Sequence, residues 1–428
     1  MMEVKQTPAV ILLDGNAQRL FWGQLISQAC DKLMTVGMIW VITANFSAQW
    51  IPWFIALGAL PHFLLAAHSG KWITRWGALR TVIGADLFRG ALFIFASWLA
   101  WQLTGGTGTY DAHTAHALLF FLCTAVFVQN IASSLFNPAI LSLPVALMEE
   151  GERRDKLTAL IDSCFAFGNV IGPLVAAVTY SAYGLVGMLA INGLSYFFSA
   201  ILALGIKEHA ETRAHPGTGT VDGASSAGAA YDAAPARSML DVRKCQPVIA
   251  GMLLTFLLMN FFLAPLMLFM PWYAKNIYAD GINGFARLEA FMGIGTVLGS
   301  VLLSFKQIPG ATWKRVAFSL ALMATSYLAF TFSHTLFYGC LAVSLLGFFL
   351  SMANVFILTF FQSASRAEDV PTVMGLVNLI SVASLPISMA VVGAFIDKVQ
   401  VQPFAAACAA IVVAIALSIR LIPGIAKV

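Results

Sequence analysis

Charge is what this chain has least of. Asp, Glu, Lys and Arg together make up only 10% of its 428 residues, while hydrophobic residues make up 59%. Soluble globular chains carry about a quarter charged residues, so a water-soluble domain of this size is excluded. Cysteine is also scarce. Cys30, Cys123, Cys164, Cys340 and Cys408 are scattered through apolar runs and Cys245 stands in a polar stretch, a pattern that gives neither a disulfide framework nor a cysteine metal cluster. A formal net charge of only +4 calls for no nucleic-acid partner. Missing as well are a Gly-x-x-x-x-Gly-Lys-Ser/Thr loop for nucleotide phosphates, a Gly-x-Ser-x-Gly nucleophile turn and a His-Glu-x-x-His zinc motif. These absences point away from an ATP-driven pump and from an enzyme, and no cofactor is expected. His113 and His116 lie three residues apart beside Asp111, but no further ligand cluster accompanies them and no metal site is expected. The apolar run Val10 to Leu13 is too short for a cleavable signal peptide.

What the chain has in abundance is apolar runs of bilayer-crossing length. A helical span needs about 20 mostly apolar residues to cover roughly 30 Å of hydrocarbon, and only helices or closed barrels satisfy their backbone groups there. Six such runs fill the first half: Leu20 to Ala44, Trp50 to His68, Leu79 to Trp101, Ala115 to Ile140, Leu157 to Ser181 and Leu185 to Ile206. Six more fill the second: Val248 to Pro271, Leu288 to Phe305, Val316 to Phe332, Leu336 to Phe361, Pro371 to Phe395 and Pro403 to Ile422. The runs are continuous rather than alternating, so the fold class is an all-α membrane protein with twelve transmembrane helices in two six-helix halves. The halves cover 1–206 and 247–428. Between them, 207–246 includes the Gly-, Ala- and Ser-rich stretch HPGTGTVDGASSAGAAYDAAPARS, which cannot bury a core and reads as a flexible cytoplasmic linker.

Orientation follows from the basic residues, which stay on the cytoplasmic side of short loops. Outside the spans, only Lys275, Arg287 and Lys398 fall on one side, and the others, among them Lys71, Arg75, Arg80, Arg154, Lys156, Lys314, Arg315 and Arg420, fall on the opposite side. Both termini and the linker are therefore expected in the cytoplasm. Trp50, Trp53, Trp72, Trp76, Trp101 and Trp272 at span ends read as interfacial anchors.

Charges inside hydrocarbon cost from about 2.5 kcal/mol upward, so the few present are the functional candidates. Asp31 and Lys32 lie near the middle of the first span. Gln24, Ser27, Gln28, Asp31 and Thr35 follow helical spacing and form one polar stripe, which predicts a face directed at a water-filled cavity. Asp31 and Lys32 diverge by about 100°, so each needs its own partner. A mid-membrane carboxylate is either half of a structural ion pair or a carrier that takes up and gives back a proton; Asp31 is the proton-coupling candidate, with Glu289 at the outer end of the eighth span as a second. Asp86 and Arg89, three residues apart in the third span, can pair along one helix face as part of a gate. Gln129, Asn130, Asn169, Asn260, Asn354 and Asn378 are uncharged polar residues at mid-depth, expected either to line a substrate cavity or to bond neighbouring helices. Pro61 and His62 place a bend and an ionisable ring in the second span.

Four short stretches resemble a known family. In the connection after the second span, GKWITRWGALR resembles the Gly-x-x-x-Asp-Arg-x-Gly-Arg-Arg signature of the major facilitator superfamily, with Gly70, Arg75 and Gly77 in place and Thr74 where the family has Asp. GNVIGPLVAA resembles the Gly-x-x-x-Gly-Pro signature of the family's exporters through Gly168, Gly172 and Pro173. SSLFNPAILSLPVALMEEGERRDKLTAL and the stretch from Phe360 to Val399 are similar to the branch that holds macrolide efflux proteins and the enterobactin exporter. The resemblance implies gating roles for Gly70, Arg75, Gly77, Gly168, Gly172 and Pro173, and alternating access of two six-helix halves around a midplane cavity. It implies a monomeric secondary transporter whose partners are membrane lipids, protons and a small-molecule substrate, drug-like or siderophore-like, exported by proton antiport. A lysophospholipid transporter and a non-transporting receptor or scaffold are the alternatives.

Overall fold

A computed structural model describes residues 15–47, 49–104, 112–147, 152–206, 247–305, 308–365 and 370–425. The linker expected over 207–246 and the side chain of His113 lie outside the described residues. Everything long in the described chain is helical. The first helices are α1 (Gly15–Asn45), α2 (Trp50–Trp76), α3 (Ala78–Leu103) and α4 (Ala112–Leu147). A helical stretch Glu152–Leu204 follows, interrupted at Gly184, whose φ of 61° and ψ of −161° suit glycine alone; it divides into α5 (152–183) and α6 (185–204). Next come α7 (Pro247–Leu263), α8 (Leu266–Asn276), α9 (Gly281–Phe305), α10 (Thr312–Thr331), α11 (Leu336–Ala364), α12 (Val370–Phe395) and α13 (Val401–Ser418).

Nine stretches among the described residues are long and apolar enough to cross a bilayer, and one of them, Lys156–Leu204, holds both α5 and α6. With α2 and α10, 27 and 20 residues long, the crossings number twelve, in two sets of six. The seventh crossing differs from the single helix expected. It breaks between α7 and α8 at Ala264 and Pro265, where proline supplies no amide to the helical ladder. Helices also overrun the apolar runs, as at Gly15, Leu147 and Gly281, because a helix continues through the headgroup region where hydropathy no longer marks it.

Two compact units are present. The first contains the described residues up to Met38 and from Pro61 to 206. Here α1 lies between α5 and α6. A Cβ on Gly168 would stand 3.0 Å from the Gln28 backbone, and one on Gly172 would stand 2.6 Å from the Ala29 carbonyl and 2.7 Å from Lys32 Cβ. Past Gly184 the direction reverses, with Met188 against Gly37 and then Ser199 against Gly23, and Arg19 donating to the Gly205 carbonyl. The α5–α6 segment is therefore a helical hairpin turned at Gly184, and its glycines admit α1 at backbone contact, the small-residue packing that serves where lipid removes the hydrophobic drive. Gly172→Leu is expected to push α1 off α5 and lower the stability of the purified protein by about 1–3 kcal/mol, the range for overpacking a close contact; thermal unfolding in detergent measures it. Between α2 and α3 the chain turns on one residue, Gly77, with φ 87°.

The second unit contains Ile39–Leu60 and the described residues from 247 onward. Gly295, Gly299 and Gly347 bring α9 and α11 together at backbone contact with Ser344, Phe348 and Met292. Tyr273 donates to the Thr331 carbonyl at 2.7 Å, and Ser388 donates to the Phe261 carbonyl at 2.6 Å. Lys275 Nζ donates to the carbonyls of Thr43 at 2.6 Å and Ala44 at 3.1 Å, a cation on the negative end of α1.

Candidate functional site

In the first unit, four helices converge on one buried guanidinium. Arg89 of α3 is 1% exposed, a depth at which a charge persists only if paired and hydrogen-bonded. One turn earlier on the same helix, Asp86 is fully buried and its Oδ1 accepts from Arg89 Nη2. Arg89 Nη1 lies 3.5 Å from Asp31 Oδ2 on α1. The planar cation is held between two rings, with Phe136 of α4 at 3.9 Å and Tyr196 of α6 at 4.2 Å from their centroids. Tyr196 in turn stacks on Phe93 at 6.0 Å.

The two carboxylates stand in different surroundings. Asp86 has no access to solvent, whereas the Asp31 side chain is 23% exposed. Asp31 Oδ1 accepts from Tyr196 OH and from Gln129 Nε2, the latter at 3.0 Å. Asp31 Oδ2 has the looser contact with Arg89. Next to Gln129 on α4, Asn130 Oδ1 lies 3.1 Å from His62 Nε2. Arg89 thus serves two carboxylates with one positive charge, one of them held tightly and out of water, the other held loosely and reachable. Tyr196→Phe keeps the ring against Arg89 but removes a donor to a charged oxygen. It is expected to lower thermal stability by about 1.5–3 kcal/mol, the range for hydrogen bonds to charged groups, as read by unfolding in detergent.

The polar stripe on α1 has a different fate from the one expected. Gln24 and Ser27 are buried at 2% and 0%, and Gln28 is buried as well. Gln24 Nε2 donates to Ser199 Oγ on α6 at 3.3 Å, and Gln28 Nε2 reaches Gln24 Oε1 at 3.4 Å. Over its first two turns the stripe therefore packs on α6 instead of facing water, because a buried amide must find a partner and Ser199 supplies it. Thr35 is exposed and bonds back to the Asp31 carbonyl at 3.0 Å. Lys32 is half-buried, its stem beside Gly172.

Other candidates are dispersed. Asn169, Asn354 and Asn378 are exposed on α5, α11 and α12. Asn260 spends its amide on the Phe256 carbonyl of its own helix at 2.8 Å. Glu289 is buried on α9 in the second unit. Gly70 is half-buried and Arg75 exposed at the end of α2, Gly77 forms the turn into α3, and Pro173 is buried in α5. Thr74, where the resemblance leads one to look for an acid, bonds back to the carbonyls of Gly70 and Lys71 at 3.1 and 2.9 Å. Sequence reasoning missed Tyr196, Phe136 and Ser199, since an aromatic ring or a serine within an apolar span carries no signal of its own.

Comparison with known proteins agrees with this architecture. Macrolide efflux protein A of Streptococcus pyogenes is 23% identical over 180 residues, 42% of this chain and 41% of that protein. Macrolide efflux protein A of Enterococcus faecalis is 24% identical over 148 residues, 35% of this chain and 42% of that protein. The matched region thus spans about two fifths of these relatives' length. Among solved structures, a peptide transporter of the POT family superposes with a TM-score of 0.70 at 10% identity, covering 96% of this chain and 95% of the other. A bacterial homologue of the iron transporter ferroportin in its inward-facing state superposes with a TM-score of 0.68 at 13% identity, covering 97% and 99%. Residues 20–389 match the sequence model described as Major Facilitator Superfamily. Twelve membrane-crossing helices and a family match over most of its length make this chain a multi-pass membrane protein, and it belongs to the Major Facilitator Superfamily.

Proposed function

We propose that the protein is a secondary exporter of an amphipathic small molecule, drug-like or siderophore-like, driven by proton antiport with Asp31 as the proton carrier. The observation that carries this reading is the charge imbalance at Arg89: one guanidinium facing Asp86 and Asp31. With both acids ionised the trio is one negative charge in excess, in a setting where uncompensated charge is costly. A proton on Asp31 Oδ2 restores balance, leaving Arg89 to Asp86. Tyr196 and Gln129 hold Oδ1 in place, so protonation changes the Arg89 contact without releasing the side chain. Because Asp31 sits on α1 against α5 and α6, its charge state acts on the helices that move in alternating access.

The relatives named for macrolide efflux support outward transport of a large amphipathic compound. The placement of Lys and Arg supports cytoplasmic termini in a bacterial plasma membrane. The test is uptake into inside-out vesicles energised with a proton gradient, using labelled macrolide, catecholate siderophore and lysophospholipid in parallel. Gradient-dependent uptake of the macrolide or siderophore is the expected result. Uptake of lysophospholipid alone, or uptake of any of them unaffected by collapsing the gradient, rejects the reading.

A further inference from the structure

The first unit has a cavity of about 540 Å³ that the ion cluster does not use. It lies along another face of α3, about 140° round from Asp86 and Arg89 at roughly 100° per residue. Its mouth is Arg75, Trp76 and Arg80, at the junction of α2 and α3, and Gly84, Phe88 and Ile131 are among the residues of its walls. Among the described residues neither arginine forms an ion pair, and no acidic side chain lines the cavity.

Three features identify what fits. Phe88 and Ile131 are exposed apolar residues inside membrane-crossing helices, a surface that an acyl chain covers more favourably than water does. Eight residues separate Arg80 from Phe88, about 12 Å of helix rise at 1.5 Å per residue, so the groove runs from headgroup depth into hydrocarbon, with Trp76 at the interface. Gly84 leaves a notch, since a Cβ there would meet nothing within 4 Å. A basic mouth over an apolar slot open to lipid matches a phosphodiester headgroup with an attached chain.

We propose that this groove binds an anionic phospholipid, its phosphate on Arg75 and Arg80 and one acyl chain laid along Gly84, Phe88 and Ile131. The bound lipid braces the helix that presents Asp86 and Arg89 on its other face. It stands independently of the proton-coupling reading, because none of these residues belongs to the ion cluster.

Native mass spectrometry of the full chain, incubated with phosphatidylglycerol or with phosphatidylcholine of the same chains, tests it. Wild type should retain phosphatidylglycerol about tenfold or more over phosphatidylcholine, as two basic residues imply. Arg75→Gln with Arg80→Gln should bring that ratio to about one. Gly84→Leu, whose side chain enters open space and leaves the fold intact, should reduce retention of phosphatidylglycerol about tenfold with both arginines present. Equal retention of the two lipids by wild type overturns the proposal, as does an unchanged ratio in the arginine variant. Unaltered retention by Gly84→Leu excludes the acyl slot, and displacement of the lipid by millimolar inorganic phosphate makes this a free-anion site; either result overturns it too.

Discussion

Arg89→Leu is expected to remove about 3–5 kcal/mol of stability, the range for breaking a buried ion pair from one side, and to leave little folded protein after extraction. The loss does not come from the pair's net attraction. It comes from what remains: Asp86, with no access to solvent, and Asp31, both deprived of the guanidinium that pairs with them. The rings of Phe136 and Tyr196 add to it, since each faces the guanidinium at close range and a desolvated cation–π contact is worth about 2 kcal/mol. Arg89→Lys should recover part of the loss, because a point charge reaches one carboxylate but does not lie flat between two rings. A sharper expectation concerns the double variant Arg89→Leu with Asp86→Leu. Replacing both members of a buried pair by apolar residues is often neutral, so it should regain most of the lost thermal stability. If the double variant is no more stable than Arg89→Leu alone, Asp86 is not the partner on which Arg89 depends.

Asp31→Asn should give the opposite combination, intact folding with transport uncoupled. The asparagine carbonyl still accepts from Tyr196 and Gln129, and Arg89 keeps Asp86, so thermal stability should stay within about 1 kcal/mol of wild type. What is lost is the exchangeable charge. In proteoliposomes, uphill accumulation driven by a proton gradient should fall to the level of empty liposomes, about a hundredfold or more below wild type if the protonated carboxyl carries the coupling. Substrate exchange in the absence of a gradient should continue. A variant that still concentrates substrate against its gradient would remove Asp31 from the coupling step.

Which parts of this arrangement are legible in the sequence depends on where free energy leaves a mark. Lipid demands long apolar helices, so the spans can be read directly, as can Asp31 and Arg89, because charge at those depths is conspicuous. The Asp86 and Arg89 pair is readable from its spacing, and Gly168 and Gly172 from their motif. The sequence does not disclose that Gly172 receives α1 at Lys32, that the break at Pro265 divides the seventh crossing, or that Gln24 turns to Ser199. These depend on which helices become neighbours, a property of tertiary packing. Tyr196 is the clearest case: one tyrosine beside Phe197 and Phe198 reads as lipid-facing bulk, yet its ring covers Arg89 and its hydroxyl holds Asp31. The departure at Thr74 is visible in the sequence, but its consequence, a hydroxyl bonded back to the carbonyls of its own helix, depends on the structure.

Infrared difference spectroscopy across a pH titration of the purified protein tests for one exchangeable proton at Asp31 without knowledge of the substrate. Beside the bands of the water-exposed acids, wild type should show one further carbonyl-stretch component of a protonated carboxylic acid appearing as the pH falls, absent in Asp31→Asn and retained in Asp86→Asn. Persistence of that band in Asp31→Asn would place the proton elsewhere and contradict the account.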